Sequence, residues 1–406
     1  MIGKTSRPSQ TDDPPETARL TLEEMGPLGD TLAHFQGETV NVFGGIPGEE
    51  VLAEIVRYRR RRLRLVSAVV TEVLTPSPHR VEAPCGYFGA CTGCQWQHIE
   101  YPHQLHLKRE AVEQELRRHP ALEGVSAEPT MPCQELFNYR NHARFTVRRE
   151  GTLGFVNRIT RRFVAIDECK LMAGWINETL GKLQGRSAET TQLSIRYGVN
   201  TGDWLIQPTL QNPDILVRSG QRHYREELMG HPFRIASPSF FQTNTAQAER
   251  LVELVRSHLD LSGDELVVDA YAGVGTFAVL MAPLVRKVIA IEESTAAVRD
   301  AAINTLGIDN LEYIEGKTEE VLGTLSSAPD ALILDPPRVG CHPDTLRAVL
   351  QRPPGRVVYV SCDPETLARD LAILVEGGYA VGTVEPVDMF PQTYHVECVA
   401  ALTHRG

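Results

Sequence analysis

Near the N-terminus, apolar and polar residues alternate in four segments: ARLTLEEM, ETVNVFGGIPGEE, VLAEIVRYRR and RLVSAVVTEVL. A period of two, broken by glycine-bearing turns, predicts half-buried strands. Five or so such strands within residues 17–75 predict a small β-barrel of the OB type, a platform that often binds oligonucleotides. PSPHRVEAP (76–84) is a proline-punctuated boundary, and HQLHLKREAVEQELRR (103–118) predicts a helix, expected to pack on the domain formed by residues 236–406. With it, residues 76–235 form a mixed central domain that also holds a cysteine cluster.

Residues 236–406 alternate differently. ELVVDAY (265–271), KVIAIEE (287–293), ALILDPP (331–337) and RVVYVS (356–361) are near-continuous apolar runs, and TFAVLMAPLV, TAAVRDAAINTLG and PDTLRAVLQ read as helices between them. This pattern predicts a Rossmann-like parallel sheet covered on both faces, with ligands bound beyond the carboxyl ends of its strands. Asp269, Glu292, Asp335 and Cys362 all fall at or just beyond such ends. DMFPQTYHVECVAAL (388–402) alternates again and predicts a final strand carrying Glu397.

Composition adds bounds. With 42% hydrophobic and 23% charged residues the chain reads as globular, and no apolar run approaches the roughly 20 residues of a membrane span. Residues 1–16 are polar and proline-bearing, which predicts a disordered tail rather than a secretory signal. Eight cysteines without such a signal point to a reducing, cytoplasmic setting, where thiols serve metals or catalysis. The net charge of −11 argues against a nucleic-acid partner only globally, because the positive charge is concentrated. Six of the nine residues in RYRRRRLRL (57–65) are arginine, and residues 139–162 hold seven arginines against the single acid Glu150. Uncompensated arginine runs favour a polyanion such as nucleic acid over a merely solvated face, with Arg59, Arg61, Arg140, Arg144, Arg158 and Arg161 as candidate contacts.

Chemistry concentrates at the sheet edge. In DAYAGVGTF (269–277), Gly273 and Gly275 permit a tight turn close to a ligand, without the third glycine of a dinucleotide fingerprint. Glu292, at the end of the next strand, suits the ribose hydroxyls of a nucleoside. Carboxylates in that place disfavour a pyrophosphate and suit a cationic cofactor such as S-adenosylmethionine. After Asp335-Pro-Pro comes Arg338 rather than an aromatic residue, which disfavours an amine target. Cys362 at the strand end is either a small core residue or a nucleophile. As a nucleophile, its thiolate adds to C6 of a pyrimidine, making C5 able to take a methyl group. A base must then remove the C5 proton, and Glu397 among apolar neighbours is the candidate.

Cys85, Cys91 and Cys94 have the spacing C-x5-C-x2-C, and Cys169 stands apart. Four thiolates suit either tetrahedral zinc or a [4Fe–4S] cluster, and the spacing gives iron–sulfur a slight edge. Cys133, Cys341 and Cys398 read as buried structural residues.

Taken in order, IPGEEVLAEI, CGYFGACTGCQWQH, SPSFFQTN, DAYAGVGTF, DPPR, SCDPETLARDL and DMFPQTYHVE resemble the RNA uracil-5-methyltransferase family, in its iron–sulfur-containing branch. The resemblance runs from about residue 17 to the end. It implies a TRAM-type barrel at residues 17–75 and a class I methyltransferase domain at 236–406, with Cys362 as nucleophile and Glu397 as base. It places Gln242, Tyr271, Glu292 and Asp335 around the methyl donor, S-adenosylmethionine, with Asp335 also near Cys362. It implies a structural [4Fe–4S] cluster on Cys85, Cys91, Cys94 and Cys169. The implied substrate is structured RNA, ribosomal by preference and transfer RNA as the alternative, bound by a monomer. Two departures stand out: Thr276 replaces a frequent asparagine but is still able to cap the following helix, and Lys317 stands where an acid or amide is usual, so it is left out of the donor site. Phe240 and Phe241 are expected either to stack on a base or to lie in the core. Two rivals are an RNA-binding protein with a disused catalytic domain and a cytosine-5 methyltransferase, whose own cysteine motif is not found here.

Overall fold

A computed structural model describes residues 16–60 and 63–405. The chain forms two compact units, one running to Ala83 and taking in Gln95–Glu100, the other comprising Pro84–Cys94 and everything from Tyr101 onward.

In the first unit lie β1 (Thr17–Thr21), β2 (Thr31–Phe35), β3 (Glu38–Phe43), β4 (Glu50–Arg60) and β5 (Leu63–Thr75). They form one five-stranded sheet in the order β1-β4-β5-β3-β2, antiparallel except where β3 pairs with β5. The alternation becomes a core of Leu20, Val40, Val42, Val51, Ala53 and Ala68. The buried Glu49 carboxylate is satisfied by Arg80, whose Nε and Nη2 each donate over 2.6 Å.

The second unit opens with α1 (Tyr101–Arg117), followed by β6 (His142–Arg148), β7 (Thr152–Val156), β8 (Phe163–Ala165), α2 (Gly174–Leu183), β9 (Gln192–Tyr197) and β10 (Trp204–Gln207). The five strands form an antiparallel sheet in the order β10-β9-β6-β7-β8. Ile176, Leu180 and Leu183 of α2 pack against Phe145, Leu193 and Ile195 of this sheet. A hairpin of β11 (His223–Leu228) and β12 (His231–Ala236) leads into the last part of the chain.

That part contains α3 (Thr245–Leu259), β13 (Leu266–Ala270), α4 (Thr276–Met281), β14 (Lys287–Glu292), α5 (Thr295–Asn304), β15 (Leu311–Glu315), α6 (Thr318–Val321), β16 (Ala331–Leu334), α7 (Pro343–Gln351), β17 (Arg356–Ser361), α8 (Pro364–Glu376), β18 (Tyr379–Val387) and β19 (Glu397–His404). The seven strands run β15-β14-β13-β16-β17-β19-β18, parallel except for β19, which is antiparallel to both neighbours. Two apolar layers, one on each face, bury the sheet, and Val112 and Leu116 of α1 share one of them with Leu367 and Leu371 of α8. This is a multi-stranded, mostly parallel α/β fold covered on both faces, with a β-rich N-terminal part. Helix starts follow local chemistry: Asn244, Ser294 and Asp363 each accept a hydrogen bond from a first-turn amide, and Pro364 occupies the first turn of α8.

One expectation is corrected. The strand expected over residues 388–402 begins only at Glu397; residues 388–396 form a loop that closes a hairpin whose last paired residues are Val387 and Glu397. Pro391 offers no amide to a ladder, and Gln392 has φ +69°, outside the strand region. The alternating apolar residues there are buried all the same, Met389 and Val396 among them. No helix among the described residues is long and apolar enough to cross a membrane.

Candidate active site

The order of strands reverses at β13 and β16, so the crevice beyond their carboxyl ends is where such sheets bind ligands. Because Ala270 pairs with Leu334 and Leu334 with Tyr359, the segments leaving β13, β16 and β17 emerge side by side. They carry Tyr271, Asp335 and Cys362.

The turn after β13 is built from three left-handed residues: Tyr271 (φ +78°), Gly273 (φ +57°) and Gly275 (φ +97°). A tyrosine in that region is unusual and marks a backbone held by its surroundings. Here the holders are identifiable. The Glu292 carboxylate accepts from Gly273 N (2.8 Å) and Ser294 N (2.7 Å), Tyr313 donates its hydroxyl to Gly273 O (3.0 Å), and Tyr271 Oη meets Thr345 Oγ1 at 3.2 Å. Glu292 thus shapes the turn, while its two oxygens retain further acceptor capacity. Thr276 does not cap α4: Gly275 is the cap residue and contributes no side chain, and Ala278 N donates instead to Asp269 Oδ2 (2.9 Å). The other oxygen, Asp269 Oδ1, is buried without a hydrogen-bond partner. Burial and, next, the nearby Asp335 charge push the Asp269 carboxyl up to about 8. Gln242 is half-buried in the segment before α3, where its carbonyl accepts from Asn141 Nδ2 (3.1 Å). Lys317 is exposed and lies 3.8 Å from Glu320.

Cys362 is half-buried between Ser361, the last residue of β17, and Asp363, which caps α8 through Thr366 N (3.2 Å). A thiolate at that helix start gains from the N-terminal dipole. Burial first, and then the Glu397 charge, push the thiol up to about 11, while Arg338 donates a hydrogen bond to it and opposes the rise. Glu397 is buried at the start of β19; burial and then Asp335 push its carboxyl up to about 8, again against Arg338. Asp335 rises through burial to about 7. Cys362, Glu397, Asp335 and Arg338 therefore lie within one another's fields. Arg338 Nη2 also donates to His395 Nδ1 (3.1 Å), and burial with Arg338, Arg158, Lys108 and Arg140 nearby lowers His395 to about 3, a neutral acceptor. Phe241 is buried in the core, whereas Phe240 is 69% exposed.

The arginines divide. Arg140 and Arg158 reach the active-site edge through their effect on His395. Arg144 pairs with Gln192 Oε1 (2.7 Å) on the central sheet, and Arg161 is exposed in the turn between β7 and β8. Arg61 and the side chain of Arg59 lie outside the described residues. Cys85, Cys91, Cys94 and Cys169 are half-buried, and Cys85 and Cys91 both act on Cys169, whose thiol is raised mainly by burial. Among the described residues, however, no three or more His, Cys, Asp or Glu side chains stand together in a way that would hold a metal ion. Cys133, Cys341 and Cys398 are buried.

Sequence reasoning missed the buried polar residues beneath this edge: Gln104 and Lys108 of α1 with Asp388 and Gln392 of the loop. The available signal was two polar residues on the four-residue spacing that continues to Val112 and Leu116, the buried stripe of α1.

Residues 229–405 match the family model described as tRNA (Uracil-5-)-methyltransferase. An uncharacterized RNA methyltransferase of Gloeobacter violaceus is 33% identical over 95% of this chain and 96% of its own length. One from Listeria innocua is 33% identical over 95% and 97%. Among solved structures, the tRNA (uracil-54, C5)-methyltransferase of Pyrococcus abyssi, in complex with S-adenosyl-L-homocysteine, superimposes with a TM-score of 0.76 at 27% identity, covering 95% of this chain and 100% of that one. A mostly parallel sheet with a glycine turn and converging acids at its switch point is a nucleoside-cofactor site, and with these matches it is that of an S-adenosylmethionine-dependent methyltransferase. The chain belongs to the RNA (uracil-5-)-methyltransferase family.

Proposed function

We propose that this protein methylates C5 of a uridine in structured RNA through a temporary bond between Cys362 and C6 of the ring. The observation that carries this reading is the shared neighbourhood of Cys362, Glu397 and Asp335 beside the glycine turn. S-adenosylmethionine, when bound, supplies a methyl group on a cationic sulfur. Gln242, Tyr271, Gly273, Thr276, Glu292 and Asp335 are the residues proposed around it, and the half-satisfied, buried Asp269 fits a cationic ligand. The Cys362 thiolate adds to C6, the resulting carbanion character at C5 takes the methyl group, and Glu397 takes the C5 proton as the C6–S bond breaks. Arg338 lowers the cost of both charged forms, and Asp335 positions the thiol. Cys362→Ala should abolish RNA-dependent methylation; undiminished 5-methyluridine formation would instead favour an RNA-binding protein with a disused catalytic domain.

The RNA reaches the site as a nucleotide turned out of its stack. The exposed ring of Phe240 is proposed to stack on a base, and Arg140, Arg144, Arg158 and Arg161, with Arg59 and Arg61 of an OB-like, TRAM-type N-terminal module, to hold phosphates. Ribosomal RNA is the preferred substrate, on the motif resemblance that includes the cysteine segment. The Pyrococcus abyssi neighbour supports a transfer-RNA reading. Mapping 5-methyluridine in both RNAs from cells lacking the protein, which we read as a cytoplasmic monomer, decides between them.

The cysteine spacing supports a structural [4Fe–4S] cluster on Cys85, Cys91, Cys94 and Cys169, and the thiol positions in this structure do not add to that support. Iron and acid-labile sulfide in stoichiometric amounts in anaerobically purified protein are expected; zinc alone would contradict the assignment.

A further inference from the structure

The loop of residues 388–396 has no ladder of its own, yet it is largely buried, and it ends on the proposed base. Side chains from outside the loop hold its first five residues, Asp388 to Gln392. Lys108 and Asp388 form an ion pair at 2.5 Å with both side chains 0% exposed, and Lys108 Nζ also donates to Phe390 O (3.1 Å). Tyr101 donates its hydroxyl to the other Asp388 oxygen (2.8 Å). Gln104 and Gln392 bond reciprocally: Gln104 Nε2 donates to Gln392 Oε1 (3.1 Å), and Gln392 N donates to Gln104 Oε1 (3.0 Å). From the other side, Gln247 Nε2 donates to Asp388 O (2.9 Å), Asn244 Nδ2 to Met389 O (3.1 Å) and Tyr139 Oη to Pro391 O (3.0 Å).

Three of these groups, Tyr101, Gln104 and Lys108, lie on α1, more than a hundred residues before the matched methyltransferase segment begins. A helix that only packed on the sheet would present apolar residues at 104 and 108, in line with Val112 and Leu116. An amide and an ammonium can be buried there only because both are hydrogen-bonded, and such a pair adds little net stability over apolar residues, so what it contributes is geometry. That geometry is the loop's path. Gln392 is held in a left-handed conformation at φ +69°, and five residues later the chain enters β19 as Glu397.

We propose that Gln104 and Lys108 of α1 are positioning residues for the reaction: by clamping the 388–396 loop they set the Glu397 carboxylate against the C5 proton of the adduct. This rests on the covalent reading above. In the affected step the C5–H bond breaks, its proton goes to Glu397, its electron pair forms the C5–C6 double bond, and the C6–S bond electrons return to Cys362 as thiolate. Loosening the clamp leaves addition and methyl transfer in place and slows this elimination alone.

The test is a single-turnover reaction of the full-length protein with labelled S-adenosylmethionine and an RNA substrate, followed by denaturing separation of free methylated RNA from RNA bound to protein. Gln104→Leu removes both bonds to Gln392 without stranding a charge. It should slow release of methylated RNA on the order of ten- to a hundredfold while methyl incorporation changes little, so that methylated, protein-bound RNA accumulates. Val112→Ala, which loosens the same helix through its apolar stripe, should release product as the parent does. If Gln104→Leu does not fold, Lys108→Met with Asp388→Asn removes the ion pair as a unit and is held to the same expectation. Release from these variants at the parental rate overturns the proposal, as does equal accumulation with Val112→Ala, which would make the clamp merely structural. Undiminished methylation by Cys362→Ala would overturn the covalent reading instead.

Discussion

At the scale of single residues, the site is a set of acids held near neutrality. Asp269 and Glu397 at about 8 and Asp335 at about 7 all owe their rise first to burial, with mutual repulsion adding to Asp269 and Glu397. A base must be ionised to accept a proton, so turnover should rise with pH through about 8, where Glu397 loses its proton, and fall on acidification. Cys362 at about 11 sharpens the same trend, and Glu397→Gln should lower turnover by roughly 10²–10⁴-fold. The ligand-free fold should show the opposite dependence. A carboxyl raised in the folded state holds its proton where the unfolded chain has lost it, so its contribution to stability is complete below the ordinary carboxyl range and lost as pH rises towards about 8. The thermal unfolding temperature of the ligand-free protein should therefore fall from roughly pH 5 to pH 8.5, with Asp269→Asn flattening the slope. A cationic ligand reverses the penalty: S-adenosylmethionine should bind more tightly as pH rises, and its neutral-sulfur product should respond less. Calorimetric titration of both at the two pH values checks this.

At the scale of elements, what was legible in the sequence and what was not have different physical causes. β17 and α7 were readable residue for residue, because near-continuous apolar strands and a proline-led amphipathic helix carry their own signals. The residues at the strand ends were readable as a group, since a parallel sheet brings its carboxyl ends to one edge whatever the loops do. The 388–396 loop was not. Its alternation imitates a strand, and only tertiary hydrogen bonds from α1, α3 and the segment before β6 reveal its path. The Thr276 error has a similar origin, because the amide of Ala278 is satisfied by an aspartate nine residues earlier on a neighbouring strand. Two stability measurements belong here. Asp363→Ala should cost about 1 kcal/mol in denaturant unfolding as α8 loses its cap. Lys108→Met should cost about 3–5 kcal/mol by leaving Asp388 buried and unpaired, and adding Asp388→Asn should recover part of that loss.

At the scale of the whole molecule, a chain of net charge −11 that binds RNA must do so through local positive charge. Arginines 140 and 158 act on His395 at the active-site edge, so binding should weaken steeply with salt, and Arg158→Ala should reduce the slope of log affinity against log salt by about one. Equilibrium binding over a salt series measures it. Beneath that surface the proposed reaction is covalent, and one measurement reaches it directly. RNA carrying 5-fluorouridine at the target position has no proton for Glu397 to remove, so the adduct should persist after methyl transfer. We expect a complex that survives denaturation, forms only with S-adenosylmethionine present, and yields a peptide cross-linked through Cys362. No denaturation-resistant complex, or one attached through another residue, would contradict the account.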